Sequence, residues 1–96
     1  MSEERPAAKP LFGLGQTVMT RAVAKSLNPD DVNRALWRHH HGDWGELGEE
    51  DRSSNELALE HDLRLFSVYH DGAGTKFYVI TEWDRSVTTV LLPEDY

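Results

Sequence analysis

The sequence contains no cysteine among its 96 residues. A disulfide framework, a thiolate nucleophile and a sulfur-ligated zinc site are therefore excluded. No run of apolar residues approaches the roughly 18 needed to cross a bilayer, and the polar residues 1–6 are not followed by the apolar stretch of a signal peptide. We therefore expect a cytoplasmic protein of bacterial type, without a membrane segment and without a cofactor.

Basic residues are also few, with 10 Lys and Arg against 17 Asp and Glu and a net charge of −7. The basic residues are scattered along the chain, whereas nucleic-acid binding through the phosphate backbone usually requires a basic patch. The composition therefore disfavours direct nucleic-acid binding. An acidic surface promotes solubility and can steer a protein toward basic partners.

The length of the chain suits one domain and is too short for two independent cores. Residues 1–10 are polar and contain two prolines, which predicts a flexible N-terminal tail. Residues 11–96 are predicted to form a single α+β domain, in which two to three helices precede a sheet and cover one of its faces.

Helix signals occupy the middle of the chain. Thr20 is a candidate N-cap, and Asn28 followed by Pro29 marks a clearer helix start that should run to His39 or His40. A third helix begins with the acidic residues 49–51. Its predicted buried face consists of Ser54, Leu57, Ala58 and His61.

The last third of the chain predicts a three-stranded antiparallel meander. Residues 63–69, 75–83 and 87–92 are rich in β-formers, and the turns at 71–74 and 84–86 that join them are short. Pro93 should end the last strand because proline cannot donate to the ladder. Residues 16–19 predict an additional short N-terminal strand.

Three consecutive histidines, His39, His40 and His41, could bind a metal ion or shuttle protons. Neighbouring positions on a helix point about 100° apart, so the three cannot converge on one ion. We therefore predict no metal site and expect one of these side chains to pack at the helix end.

Asp43 and Trp44 lie between two glycines, which allow unusual backbone angles and close approach of another chain. This pattern has two interpretations. Trp44 could be an exposed binding residue, or it could seal the edge of the core while Asp43 caps a turn.

An enzymatic alternative rests on fold-level analogy. Helices followed by an antiparallel sheet are typical of small bacterial ribonucleases, which need a base, a cation and hydroxyl donors. The residues available for these roles are His41, His61, Arg64, Tyr69, Arg85 and Thr88. The charge of −7 would repel a polyanionic substrate.

Two stretches carry a family resemblance: Gly42-Asp43-Trp44-Gly45 with Glu49-Glu50-Asp51-Arg52, and the run of residues 81–96 that contains DRSVTTVLLPEDY. They resemble short uncharacterised bacterial proteins encoded on plasmids and other mobile elements. The resemblance covers roughly residues 11–96 and implies a genomic setting but no established activity. Some relatives carry labels that mention restriction–modification, yet this chain is too short to contain the cofactor-binding domain of a methyltransferase.

The leading hypothesis is a non-enzymatic module that binds another protein. Acidic residues at 46–51, 56–62 and 94–95 would form one face if the third helix lay beside the C-terminus, and this face could inhibit a host complex by imitating DNA. The predicted binding residues are Asp43, Trp44, Glu49, Glu50, Asp51 and Arg85. Open sheet edges would also allow homodimerisation.

Overall fold

The computed structural model describes residues 9–96, so most of the predicted tail, residues 1–8, lies outside the described part. Strands form at β1 (Gln16–Met19), β2 (Leu65–His70), β3 (Lys76–Thr81) and β4 (Val87–Leu91). Helices form at α1 (Arg21–Ser26), α2 (Pro29–His40) and α3 (Glu49–His61), and a 3₁₀ turn follows at Pro93–Asp95. No helix within residues 9–96 is both long and apolar enough to span a membrane.

The helices begin where the sequence places their caps. The Thr20 hydroxyl accepts a hydrogen bond from the amide of Val23, and the Asn28 side chain accepts one from Asp30. Three carboxylates in the first turn of α3 complement the positive end of its dipole. The predicted helix starts at Thr20 and Asn28 are therefore confirmed.

The four strands form one mixed sheet in the order β1-β4-β3-β2. β2, β3 and β4 pair antiparallel in succession, and β1 adds parallel to β4 with Gln16 opposite Val87. The α+β class is confirmed, whereas a three-stranded antiparallel meander is not the complete sheet. The short strand at residues 16–19 exists, and its parallel partner is a strand far along the chain.

The main core lies between α1, α2 and one face of the sheet. Val23 of α1, Leu27 directly after it, and Val32 and Ala35 of α2 pack on sheet residues that alternate along the strands, which are Tyr69, Phe77, Val79 and Val90. Burial of its apolar side chains is the main favourable contribution to folding.

A second core forms where α3 meets β2. Trp44 and Leu47 pack there with Ala58 of α3 and with Leu65 and Val68 of β2. The predicted buried face of α3 is wrong for Leu57, which is 55% exposed, and for Ser54 and His61, which are also exposed. The inward-facing residues are Asn55 and Ala58, because α3 packs against the edge of β2 and needs a polar residue there.

Of the helices within residues 9–96, α1 and α2 pack on the first face, and the other face lies opposite them. The 3₁₀ turn and Tyr96 cover part of it, with the Tyr96 ring 6.4 Å from the Phe66 ring and 5.9 Å from the Tyr78 ring. An open cleft of about 200 Å³ beside them is lined by Arg64, Ile80, Glu82, Thr89, Leu91, Asp95 and Tyr96.

Candidate functional site

The segment 42–45 makes a tight turn against β2. The amide of Glu46 donates to the carbonyl of Val68 at 2.8 Å, and the amide of Val68 donates to the carbonyl of Trp44 at 3.2 Å. Gly45 has φ +76°, and a Cβ there would lie 1.9 Å from the Val68 oxygen. Glycine is therefore required for this turn to approach the strand.

Asp43 is held by its own neighbours. Its carboxylate accepts from Arg38 Nε at 2.8 Å and Nη2 at 3.2 Å, and from the amide of Gly45 at 3.1 Å. Burial raises the pKa of Asp43, but the hydrogen bonds from Arg38 and Gly45 outweigh this effect, so its pKa lies below the ordinary value. The backbone oxygen of Asp43 accepts from the Tyr69 hydroxyl at 2.6 Å. Asp43 thus ties α2, the turn and β2 together.

Trp44 is a core residue, only 2% exposed. Its ring stacks 6.2 Å from Phe12 and lies edge-on to His39 at 5.7 Å. Of the two interpretations left open by the sequence, the structure shows the core position. Direct contact between this side chain and a partner would require Trp44 to leave the core.

A chain of buried hydrogen bonds crosses the sheet beneath α2. His39 Nδ1 lies 2.6 Å from Ser67 Oγ, and His39 Nε2 lies 2.9 Å from Thr81 Oγ1. Thr81 Oγ1 lies 2.7 Å from Thr88 Oγ1, which donates to the carbonyl of Leu14 at 2.7 Å. His39, Ser67, Thr81 and Thr88 are each 0% exposed.

The Leu14 carbonyl, at one end of this series of hydrogen bonds, determines which group donates in each of them. The carbonyl of Leu14 can only accept, so the Thr88 hydroxyl proton points to it and Thr81 must donate to Thr88. Thr81 then accepts from Nε2–H of His39, and Ser67 donates to Nδ1. Burial, with smaller effects of His40 and Arg85, lowers the pKa of His39 to about 3. The imidazole is therefore neutral and structural.

The three histidines face three environments. His39 bonds hydroxyls inside the core, and the Phe12 ring lies 6.0 Å from that of His40. His41 Nδ1 donates to the Trp37 carbonyl at 2.7 Å, and its ring stacks on Trp37 at 4.1 Å. Within residues 9–96, no three His, Asp or Glu side chains converge in a way that could hold a metal ion.

The candidate catalytic residues occupy different parts of the molecule. Tyr69 and Thr88 are at most 1% exposed, and burial raises the pKa of Tyr69 well above its ordinary value. His41 is 6% exposed, whereas His61 lies on the surface of α3, 3.8 Å from Glu60. Arg64 pairs with Glu82 at 3.3 Å in the cleft described above, whose lining contains no histidine. The structure does not bring these residues together.

Arg85 binds four backbone carbonyls. Its Nη1 donates to Leu63 at 2.6 Å, Glu82 at 3.2 Å and Trp83 at 3.3 Å, and its Nη2 donates to Ala58 at 2.9 Å. Arg85 has a left-handed φ of 61°, which turns the chain between β3 and β4. The guanidinium therefore joins the end of α3 to this turn, and its donors point into the protein.

Trp83 stands exposed on the turn that Arg85 holds. It is 63% exposed, and Leu63, joined to the same guanidinium, is 52% exposed. Asp62 precedes Leu63, and Glu82 and Asp84 flank Trp83. Asp84 is itself fixed, because its carboxylate accepts from the amide and hydroxyl of Ser86 at 3.1 and 2.6 Å. We call Leu63 and Trp83, with the neighbouring Asp62 and Asp84, the Trp83 surface; Glu82 is paired with Arg64 and is not part of it.

The predicted acidic residues Glu49, Glu50 and Asp51 are exposed in the first turn of α3. Asp95, in contrast, accepts from the Thr20 hydroxyl at 2.8 Å. Thr20 follows β1, and β1 and β2 are opposite edges of the sheet. Asp95 therefore lies apart from the acidic surface of α3, which packs on β2.

Several important residues were not among the candidates. Ser67 and Thr81 are polar positions on a strand face that is otherwise apolar, and a polar residue in such a pattern was the available signal. Trp83 was included in the predicted strand 75–83, although β3 ends at Thr81. The turn-forming Asp84 next to it was the signal for an exposed position.

Comparison with protein-family models, curated proteins and solved structures finds no significant match to this chain. Functional proposals therefore rest on the geometry and chemistry of its own residues.

Proposed function

We propose that this chain is a non-enzymatic, acidic protein-binding module that contacts its partner through the Trp83 surface. One observation carries the proposal: an exposed tryptophan beside an exposed leucine, on a turn held by four hydrogen bonds from Arg85. Tryptophan is among the residues that contribute most to interface affinity. Arg85, predicted as a direct contact, acts by positioning the contact residues.

The rigidity of this turn favours binding. The Arg85 hydrogen bonds and those of Asp84 to Ser86 fix the backbone on both sides of Trp83. Because this backbone is already ordered, binding restricts only the side-chain torsions of Trp83 and costs little conformational entropy. The exposed indole therefore offers apolar area at low cost.

The charges around Trp83 indicate the chemistry of the partner. Asp62 and Asp84 adjoin the apolar pair along the chain, whereas Glu82 is paired with Arg64. α3 extends the acidity of Asp62 through Glu60 and Glu56 to Glu49. α3 has 13 residues and is therefore about 20 Å long. Such a surface suits an apolar pocket with Lys and Arg at its rim, because charge complementarity accelerates association.

The same proposal includes the bacterial cytoplasmic and mobile-element setting implied by the family resemblance. A basic nucleic-acid-binding protein of the host would fit the charge of α3, and occupying it would make the chain an acidic inhibitor. Because Asp95 lies apart from α3, an acidic face that imitates DNA would consist only of α3 and the Trp83 surface.

Affinity capture from a bacterial lysate tests the proposal, using wild type, Trp83→Ala and Trp37→Ala. Trp37 is a matched control because it is also exposed, at 53%, and lies on α2. We expect one stoichiometric partner to be captured by wild type and Trp37→Ala. With the purified partner, Trp83→Ala should raise Kd about 30-fold or more, as expected for a central interface tryptophan.

Trp44→Ala is unsuitable as a test, because removing a buried tryptophan costs about 3–5 kcal/mol and would disturb the fold. Two results would contradict the proposal. If Trp83→Ala and Trp37→Ala capture the same partner equally well, the Trp83 surface is not the binding site. An affinity that stays constant between low and high salt would contradict the electrostatic part of the proposal.

A further inference from the structure

The two edges of the sheet differ in whether their outward backbone groups have hydrogen-bond partners. Along β2, the outward amide and carbonyl of Phe66 bond to the Asn55 side chain at 3.2 and 2.8 Å. Those of Val68 bond to the backbone of Trp44 and Glu46. This edge is therefore closed to another strand, because its outward groups already have partners.

β1 is the other edge of the sheet, with β4 as its neighbour on one side. The amides of Gln16 and Thr20 donate toward β4, to Ser86 and Val90. Since the pattern repeats every second residue, the amides and carbonyls of Thr17 and Met19 point away from the sheet. All four residues of β1 are exposed. None of them is charged or a proline, two residue types that commonly block an edge strand.

The surroundings of β1 differ in charge from the rest of the chain. From Lys9 to Leu27 there is no Asp or Glu, although the whole chain carries −7. Arg21 and Lys25, four positions apart on α1, lie on the same side of that helix and are exposed. Among residues 9–96, neither forms an ion pair.

Two carboxylates do lie near the ends of β1, and both have partners. Asp95 accepts from the Thr20 hydroxyl and from the amide of Leu92 at 3.1 Å. Asp84, two residues before the Ser86 carbonyl that binds Gln16, accepts from Ser86. Neither carboxylate forms an ion pair with Arg21 or Lys25, so both cations remain available to an incoming chain.

We propose that β1 binds an extended acidic segment of a partner protein, which adds to the sheet as a fifth strand. The outward groups of Thr17 and Met19 pair with its backbone, and Arg21 and Lys25 pair with its carboxylates. Main-chain bonds supply affinity and the side-chain pairs supply selectivity in this mode of recognition. The site is separate from the Trp83 surface and does not depend on it.

A second copy of this chain fits the edge less well. Paired edge to edge, it would present its own β1, and the segment from Lys9 to Leu27 offers no carboxylate to Arg21 or Lys25. An acidic segment of another protein supplies the missing charge.

Titration of the ¹⁵N-labelled protein with two blocked ten-residue peptides tests this proposal. One alternates threonine with glutamate, and the other alternates threonine with lysine. We expect the amide signals of Thr17 and Met19 to shift most. We also expect the glutamate peptide to bind at least about tenfold more tightly, which corresponds to about 1.4 kcal/mol.

Two variants and one matched control follow. Lys25→Glu should reduce this preference at least about threefold, whereas Lys76→Glu, the same change at an exposed lysine of β3, should not. Thr17→Pro removes one outward amide without touching the ladder to β4 and should abolish binding. Equal affinity for both peptides, shifts confined to another surface, or a homodimer that Thr17→Pro dissociates would each overturn the proposal.

Discussion

Ser67 Oγ lies 2.6 Å from Nδ1 of His39, with both side chains 0% exposed. In an open cleft, a serine hydroxyl that donates to an imidazole would suggest a nucleophile and its base. Here the other imidazole nitrogen donates to Thr81, and no surface of either residue reaches solvent. The pair instead joins α2 to β2 and β3 inside the core.

Ser67→Ala tests the structural role of this pair. The substitution leaves Nδ1 of His39 without a donor in a buried site, so we expect the free energy of unfolding to fall by about 1–3 kcal/mol. Urea denaturation measures the change. Ser53→Ala, at an exposed position of α3, should change it by less than about 0.5 kcal/mol. Equal stability of the two variants would contradict the assignment.

Stability should also depend on pH through His39. Its pKa is about 3 in the folded protein against an ordinary value of 6.5, so between these values the unfolded chain binds more protons. Well above pH 6.5, His39 is neutral in both the folded and the unfolded chain and does not lower stability. As the pH falls below 6.5, the free energy of unfolding should fall by about 1 kcal/mol per pH unit.

Urea denaturation at pH 7.5, 6 and 5 measures this slope. The lowered carboxyl pKa values of Asp31, Asp43 and Asp84 act only below about 3.8, their ordinary value, so they do not produce it. Burial also lowers the pKa of His40, which acts in the same direction, so the slope that remains in His40→Gln is the part that belongs to His39. A flat profile from pH 7.5 to 5 would show that His39 is not buried in its neutral form.

Asn55→Asp tests how the β2 edge is closed. The Asn55 nitrogen donates to the Phe66 carbonyl, and an ionised aspartate would place negative charge against that oxygen. We expect the free energy of unfolding at pH 7 to fall by about 3 kcal/mol, and to recover in part near pH 4, where the acid can donate. Asn33→Asp, an exposed change on α2, should have little effect; an equal loss in both would argue against this role.

Gly45→Ala tests the close approach of residues 42–45 to β2. The added Cβ would lie 1.9 Å from the Val68 oxygen and 2.8 Å from the Tyr69 ring, and its positive φ disfavours alanine. The expected loss of stability is about 3 kcal/mol or more. At Gly48 an added Cβ meets nothing within 4 Å, so Gly48→Ala should cost less than about 1 kcal/mol. Thermal melts of the two proteins compare them.

Local signals in the sequence predicted local structure well. Asn28 and Pro29 located the start of α2, and the short turns located the antiparallel pairs. The parallel pairing of β1 with β4 has no local signal, because it depends on contacts across almost the whole chain. The orientation of α3 was missed for a related reason: Asn55 faces inward to satisfy a strand edge that only the assembled sheet creates.

The candidate site was less predictable than the fold. The glycines on either side of Asp43 and Trp44 permit both an exposed and a buried tryptophan, and only the packing of Phe12 and His39 around the ring decides between them. Trp83 lies on the surface because the chain turns at Arg85, two residues further on. Such long-range partners are not visible in a pattern of residue types.

The pairing of β1 with β4 has a consequence for how the protein is made. Thr88 donates to the carbonyl of Leu14 across 74 positions of sequence, so the ribosome must synthesise that length before β1 can join the sheet. At 5–20 residues per second this takes roughly 4–15 s. During this interval the nascent chain carries an unpaired β1 segment, and a chaperone has its best opportunity to bind it then.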